Sequence, residues 1–257
     1  MAGTTGERGS ALEKALDILQ VIADSKRPIG LAELAESIDL PRPTIHRTLQ
    51  QLVETGLILR ALQKDRYVIG PTLMKLSVNA LTSLNATQPI RPILNELAES
   101  LQETCNLGVL DQDEVVYIER VEGVSPLRIQ LQVGSRVPFH CTAIGKLLVA
   151  EQHKNVRTRL VSATPLKQYT TNTLTMQGDL ETEFSKIRSQ GYSFNNEEYV
   201  EGLNAIAVPV SDGKGKTVAA LAIHALQVKM DLEIALTYLP RLLENAKRIS
   251  QAWCIDD

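Results

Sequence analysis

Leu31-Ala-Glu-Leu-Ala-Glu-Ser-Ile-Asp-Leu-Pro-Arg-Pro-Thr-Ile-His-Arg-Thr-Leu-Gln-Gln-Leu-Val-Glu-Thr-Gly56 is the stretch from which the rest of the chain is read. Leu31, Leu34, Ala35 and Ile38 recur on one helical face, and Ile45, Leu49, Leu52 and Val53 do so further on. Asp39-Leu40-Pro41-Arg42-Pro43 joins the two halves tightly. Each proline biases the residue before it away from the helical region, and Pro43 suits the first turn of a new helix, where its missing N–H is no loss. Two short amphipathic helices across such a turn are the sequence form of a helix-turn-helix, whose second helix reads DNA.

The outward residues of that second helix fit this role. Arg42, Thr44, His46, Arg47 and Gln50 are polar or basic and include side chains able to hydrogen-bond base edges or phosphates; no carboxylate appears before Glu54. After Gly56, Leu57-Ile58-Leu59-Arg60 and Arg66-Tyr67-Val68-Ile69 read as two strands, a hairpin with Arg60, Lys64 and Arg66 near its tip, as in the wing of a winged helix. An ordinary amphipathic helix pair would share the helical pattern but not the wing.

Bulk properties bound the function. The chain has 257 residues, enough for two domains, and a formal net charge of −3, which excludes a uniformly basic nucleic-acid coat. Between Leu40 and Gly70, however, Arg42, Arg47, Arg60, Lys64 and Arg66 face only Glu54 and Asp65. A local basic patch on an acidic protein suits site-specific DNA binding. Cys105, Cys141 and Cys254 are odd in number, lack zinc-like spacing and read as reduced thiols. With no leader and no apolar run of spanning length, the expected location is the cytoplasm, away from membranes.

Ser10-Ala11-Leu12-Glu13 has the form of a capping box, and Leu12, Ala15, Leu16, Leu19, Ile22 and Ala23 form the stripe of a first helix. The winged helix-turn-helix is expected over residues 1–71 and a linker helix over 72–88, with Leu73, Leu76, Ala80, Leu81 and Leu84 on one side. That stripe is read as packing against the same helix of a second chain, because two DNA half-sites require two reading heads. Residues 89–257 change character. A helix from Ile90 precedes strands at Leu107–Leu110, Val115–Val121 and Leu127–Gln132; Thr142 caps a helix running through Ala150; a helix over about 179–189 stops at Gly191; strands follow at Ala205–Val210 and Thr217–His224; and a last helix spans Asp231–Trp253. Strands interrupted by helices and then resumed indicate an antiparallel sheet with helices beside it, an α+β domain.

Over nearly its whole length the chain resembles the IclR (isocitrate lyase regulator) family of bacterial transcription factors. The resemblance rests on Pro41-Arg-Pro-Thr-Ile-His-Arg-Thr-Leu49 with Glu54-Thr-Gly-Leu57 and Tyr67-Val-Ile-Gly70, then on Gly134-Ser-Arg-Val-Pro-Phe-His-Cys-Thr-Ala-Ile-Gly-Lys146, Gln190-Gly-Tyr192, Asn195-Asn-Glu-Glu198 and Gly202-Leu-Asn-Ala-Ile-Ala-Val-Pro-Val210. It implies a winged helix-turn-helix, a linker helix, and a GAF-like domain that binds a small organic acid effector and assembles the protein as a homodimer or homotetramer on double-stranded operator DNA. Carried onto this sequence, the effector pocket comprises Thr142, Ala143, Ile144, Asn195, Ala205, Ala222 and His224, with Ile129 as an apolar wall. The N–H groups at the start of the Thr142-capped helix suit a carboxylate; Thr142 would cap its helix in either case.

The chain departs from the family pattern at points that matter. The family often carries serine or threonine where Pro43 stands, cysteine at Ala205, aspartate at Asn195 and a small hydroxyl residue at Ala222 or His224. A pocket with fewer polar groups suits a larger, partly apolar effector such as an aromatic carboxylate better than a small keto acid. The same departures leave open a domain that has lost its ligand and serves only assembly, and an enzyme fused to a helix-turn-helix is a third reading. Catalytic signals are weak. His140 and Cys141 are neighbours in an extended segment and point apart. Gly145-Lys146 lacks the rest of a phosphate loop. The four histidines show no ligand spacing, so neither metal nor cofactor is expected. Glu197-Glu198 reads as a solvated turn.

Overall fold

The structure, a computed structural model, describes residues 10–25, 27–61, 65–81, 89–123 and 131–253. The chain divides into two compact units, 1–79 and 80–257.

In the first unit, α1 (Ala11–Asp24) starts with the reciprocal capping box: Glu13 N–H donates to Ser10 Oγ and Ser10 N–H to the Glu13 carboxylate. α2 (Leu31–Ser37) and α3 (Arg42–Glu54) form the helix-turn-helix, with Pro43 in the first turn of α3. β1 (Ile29–Gly30), β2 (Ile58–Arg60) and β3 (Arg66–Ile69) form an antiparallel sheet in the order β1-β3-β2, which is the wing. Ile18, Leu34, Ile45, Leu49 and Ile58 are fully buried together. α1 departs from the expected stripe. Its core face centres on Ile18 and Ile22, while Leu12 and Leu16 are 68% and 55% exposed. α4 (Pro71–Leu81) begins the expected linker helix, with Leu76 exposed; residues 82–88 lie outside the described residues.

In the second unit, α5 (Arg91–Leu101) precedes β4 (Thr104–Asp111) and β5 (Glu114–Val121), joined by a turn in which Gln112 has positive φ. β6 (Arg136–Pro138) leads into α6 (Ala143–Ala150), and α7 (Lys154–Ala163) and α8 (Gln177–Gln190) follow. β7 (Ser193–Asn196), β8 (Leu203–Ser211) and β9 (Thr217–Leu226) complete the sheet, and α9 (Leu232–Ala252) ends the described chain. All six strands are antiparallel, in the order β6-β5-β4-β9-β8-β7. β6, β7 and α7 were not expected: β6 and β7 are too short to show a period, and α7 has a weak apolar stripe. Of the expected Leu127–Gln132 strand, residues 127–130 lie outside the described residues, and Leu131 and Gln132 are not in a strand.

The two sheet faces are covered differently. α5 and α9 pack on one face, and α6 with α8 behind it covers the other. Register explains how α6 comes so close. Gly108 lies opposite Ala220, Ala222 opposite Ala207, and Ala205 beside His224, so the strands beneath the helix carry almost no side-chain bulk. All eight residues of α6 are buried. Gly145 marks the tightest point, since a Cβ there would lie 2.4 Å from Phe139 Cα and 2.5 Å from its carbonyl oxygen. Backbone cannot yield as a flexible side chain does, so Gly145→Ala is expected to destabilise the C-terminal unit by about 3 kcal/mol, the upper part of the overpacking range. Chemical denaturation followed by circular dichroism measures this, and a change under ~1 kcal/mol would contradict the packing account.

Candidate ligand cavity and recognition helix

One cavity of the second unit opens at the start of α6, with about 470 Å³ of empty space including its mouth. The sheet supplies its floor and α6 its end wall. It brings together Thr142, Ala143, Ile144, Asn195, Ala205, Ala222 and His224. Ile129, expected as an apolar wall, lies outside the described residues; Leu131 lines the cavity nearby in sequence. Sequence reasoning missed Asn106, Tyr117, Tyr199, Val200 and Leu203, which add two aromatic rings and an amide.

These residues differ in what they can offer a ligand. Thr142 Oγ1 accepts the Gly145 N–H at 3.3 Å and donates to the Pro138 carbonyl at 2.7 Å, so its hydroxyl is committed to the cap. The N–H groups of Ala143 and Ile144, in the first turn, donate to no described residue and remain for an acceptor. Asn195 is a brace: its amide donates to the Cys141 carbonyl at 2.5 Å and its oxygen accepts the Glu198 N–H at 3.0 Å. His224 Nδ1 lies 2.9 Å from Asn106 Nδ2. Burial, reinforced by the Arg120 charge, holds the His224 imidazole down to about 3, so the ring is neutral at physiological pH.

The chemical lures resolve as structure. Lys146 is 1% exposed; its ammonium donates to Glu198 Oε1, to the Phe194 carbonyl at 2.8 Å and to Glu183 Oε1 at 3.2 Å, which excludes a phosphate-loop role. The Glu197-Glu198 segment is not a solvated turn. Glu198 is 5% exposed under α6, burial raises its carboxyl, and Glu197 accepts the Gly202 N–H. The signal for it was the lysine at the fourth position of an otherwise apolar helix, which a buried site must pair. His140 Nε2 faces the Lys167 carbonyl at 2.9 Å and so carries a proton, and burial lowers its basicity. Burial pushes the Cys141 and Cys105 thiols up to about 12, which rules out a ready thiolate. Among the described residues, no group of three or more His, Cys, Asp or Glu side chains is arranged to hold a metal, and no helix is long and apolar enough to cross a membrane.

In the first unit, α3 buries Ile45, Thr48, Leu49 and Leu52 and leaves Arg42, His46, Arg47 and Gln50 exposed; Thr44 is half-buried. Gln50 Nε2 makes a long contact, 3.4 Å, with Glu54 Oε1. Arg60 is exposed on β2, and Lys64 lies outside the described residues. Arg66 is otherwise engaged: its Nη1 donates to the Pro28 carbonyl at 2.6 Å and to Glu33 Oε2 at 2.8 Å, tying β3 to the start of α2. The Gly30 N–H, together with Arg27 and Arg66, holds the Glu33 carboxyl below its ordinary value.

Known proteins match both units. The model of the IclR helix-turn-helix domain matches residues 11–62, and that of the bacterial transcriptional regulator IclR C-terminal domain matches residues 78–251. The probable transcriptional regulator SauR of Cupriavidus necator is 36% identical over 95% of this chain and 97% of its own. The IclR structure of Thermotoga maritima is 30% identical with a TM-score of 0.63, covering 94% of this chain and 98% of that one. The inducer-binding domain of PobR from Acinetobacter, solved as a double mutant with 3-hydroxybenzoic acid, is 27% identical with a TM-score of 0.57 over 62% of this chain and 94% of that one.

His224 makes a pH prediction. Its folded value lies below the unfolded 6.5, so between pH 6.5 and 3 the unfolded state binds the extra proton and stability falls as pH falls, by about 1.4 kcal/mol per pH unit. From pH 7 to 5, His224→Gln is expected to lose about 2 kcal/mol less than wild type, as measured by urea denaturation at both pH values. Equal losses would mean that His224 takes up its proton as readily in the folded protein as in the unfolded chain.

Proposed function

The chain belongs to the IclR family of bacterial transcriptional regulators, and we propose that it controls a catabolic operon in response to a small organic acid bound in the cavity of its C-terminal domain. It is a DNA-binding regulator, not an enzyme. The observation that carries the effector reading is the cavity itself: N–H groups of Ala143 and Ile144 that donate to no described residue and the neutral ring of His224 border a space whose apolar and aromatic walls include Tyr117, Leu131, Tyr199, Val200 and Leu203, with Asn106 and Asn195 engaged in hydrogen bonds to neighbouring residues. A few donors among apolar and aromatic walls suit an aromatic carboxylate, which uses the helix start for its charge and the walls for its ring. The PobR domain solved with 3-hydroxybenzoic acid supports that chemical class. A domain kept only for assembly has no use for such a space.

On DNA, we assign recognition to Arg42, Thr44, His46, Arg47 and Gln50 of α3, with Arg60 and Lys64 of the wing on phosphates. The protein acts in the cytoplasm as a homodimer or homotetramer, and the exposed Leu12, Leu16 and Leu76 of residues 1–79 support a second copy there. Effector and operator binding are coupled, so each changes the affinity for the other by the same factor.

Two measurements test the proposal. A thermal-shift screen of aliphatic and aromatic acids is expected to raise the melting temperature with an aromatic carboxylate, because a ligand bound only by the folded state stabilises it. A flat screen, repeated with operator DNA, would favour the assembly-only reading. Arg47→Ala is expected to weaken operator binding by about 1–3 kcal/mol and relax specificity at one base pair; operator protection equal to wild type would remove Arg47 from the interface.

A further inference from the structure

Arg120 is buried, 8% exposed, in β5 directly opposite Asn106 of β4. Its Nη1 donates to Asn106 Oδ1 at 2.8 Å, while its Nε is enclosed without a partner. The carboxylates around it are poorly placed to neutralise it. Glu122 Oε1 stands 3.9 Å from Nη2 on a half-exposed side chain, and Glu119 faces Arg91 and the Arg120 backbone N–H. A buried cation without a close counter-ion is costly, and burial accordingly lowers the Arg120 basicity.

The hydrogen bonds from Arg120 to the cavity have a fixed direction. A guanidinium only donates, so the Asn106 oxygen must face Arg120 and the Asn106 NH₂ must face His224. His224 Nδ1 is then the acceptor of the 2.9 Å contact, which places the proton of the neutral ring on Nε2. Nε2 has no described hydrogen-bond partner and is not enclosed, and His224 lines the cavity.

We propose that Arg120, Asn106 and His224 form a one-way donor relay that presents His224 Nε2–H to the cavity with the unneutralised charge of Arg120 behind it, and that this relay selects a carboxylate head group over its neutral amide. The inference rests on the reading of this cavity as the effector site. The ligand carboxylate becomes the counter-ion that Arg120 lacks, and its other oxygen is free for the N–H groups at the start of α6. Arg120 is a positioning residue: it acts through Asn106 and His224 without lining the cavity.

The test uses the full-length protein and two readouts. Long-range ¹H–¹⁵N correlation on histidine-labelled protein should place the His224 proton on Nε2 in wild type, and Arg120→Met should abolish that preference by freeing the Asn106 amide to turn. Calorimetric titration is run with matched pairs: acetate and acetamide, pyruvate and pyruvamide, benzoate and benzamide, 3-hydroxybenzoate and 3-hydroxybenzamide. Wild type should prefer the acid of the pair it binds. Arg120→Met should weaken that acid by about ten- to a hundredfold, the range for a lost charged hydrogen bond, with little change for the amide. Arg120→Lys, which keeps the charge but not the fork, should retain part of the preference. A wild-type proton on Nδ1, an amide bound as well as its acid, or an acid bound equally by Arg120→Met would overturn the relay while leaving the effector reading intact. No binding by either series, with the proton on Nε2, would fail the effector reading and withdraw the anion with it.

Discussion

The close seating of α6 on a sheet face of glycine and alanine is the constraint on which the C-terminal unit depends. Gly108, Ala205, Ala207, Ala220 and Ala222 keep that face nearly flat, and Gly145 lets the first turn of the helix touch the backbone of Phe139. Small side chains contribute little hydrophobic area themselves. What they permit is the burial of Ile144, Leu147, Leu148 and Val149 between the sheet and α8. The same geometry makes the cavity, because the floor is flat and the helix starts above it with two N–H groups that donate to no described residue.

A helix placed so deeply has no polar face, and the consequence is the burial of Lys146. Its ammonium is held by Glu198, Glu183 and the Phe194 carbonyl. The pairing reaches beyond charge. Glu198 N–H donates to Asn195, Asn195 donates to the Cys141 carbonyl just ahead of the α6 cap, and Thr173 and Thr170 donate to the Glu198 and Glu197 carbonyls. The segment from Asn195 to Val200, which lines one side of the cavity, is thereby fixed to the helix that lines its end. Breaking a buried ion pair of this kind leaves an uncompensated charge and costs several kcal/mol, so the pair and its hydrogen bonds hold this wall of the cavity in place.

What the sequence made legible was local. The capping box at Ser10, the Pro41-Arg42-Pro43 turn, the Thr142 cap and the Gly191 stop each act within a few residues, and each is present in the structure. The family resemblance supplied the seven positions that the structure gathers around one cavity. Asn106 and Arg120 were missed for a physical reason: their meeting depends on the pairing of β4 with β5, and the register shifts at a bulge between Leu107 and Gly108. No period in either strand alone reveals which polar residues a bulge turns to the same side. The α1 stripe failed differently. Leu12 and Leu16 satisfy the helical spacing, but the domain core takes Ile18 and Ile22 instead, so spacing identified the helix without identifying which apolar residues its own fold buries.

Lys146 and Arg120, two cations buried near the cavity, are handled in opposite ways, and the contrast bears on function. Lys146 has two carboxylates and a carbonyl within hydrogen-bond reach, an arrangement complete in the absence of any ligand. Arg120, buried almost as deeply, has an amide oxygen, a distant half-exposed carboxylate and an orphaned Nε. Lys146 is balanced within the fold and stabilises the wall, whereas Arg120 has no close counter-ion among the described residues, a deficit that a carboxylate on His224 would offset in the proposed relay. Binding free energy that removes such a deficit is differential between empty and occupied states, which is what a switch needs if occupancy is to bias one conformation over another.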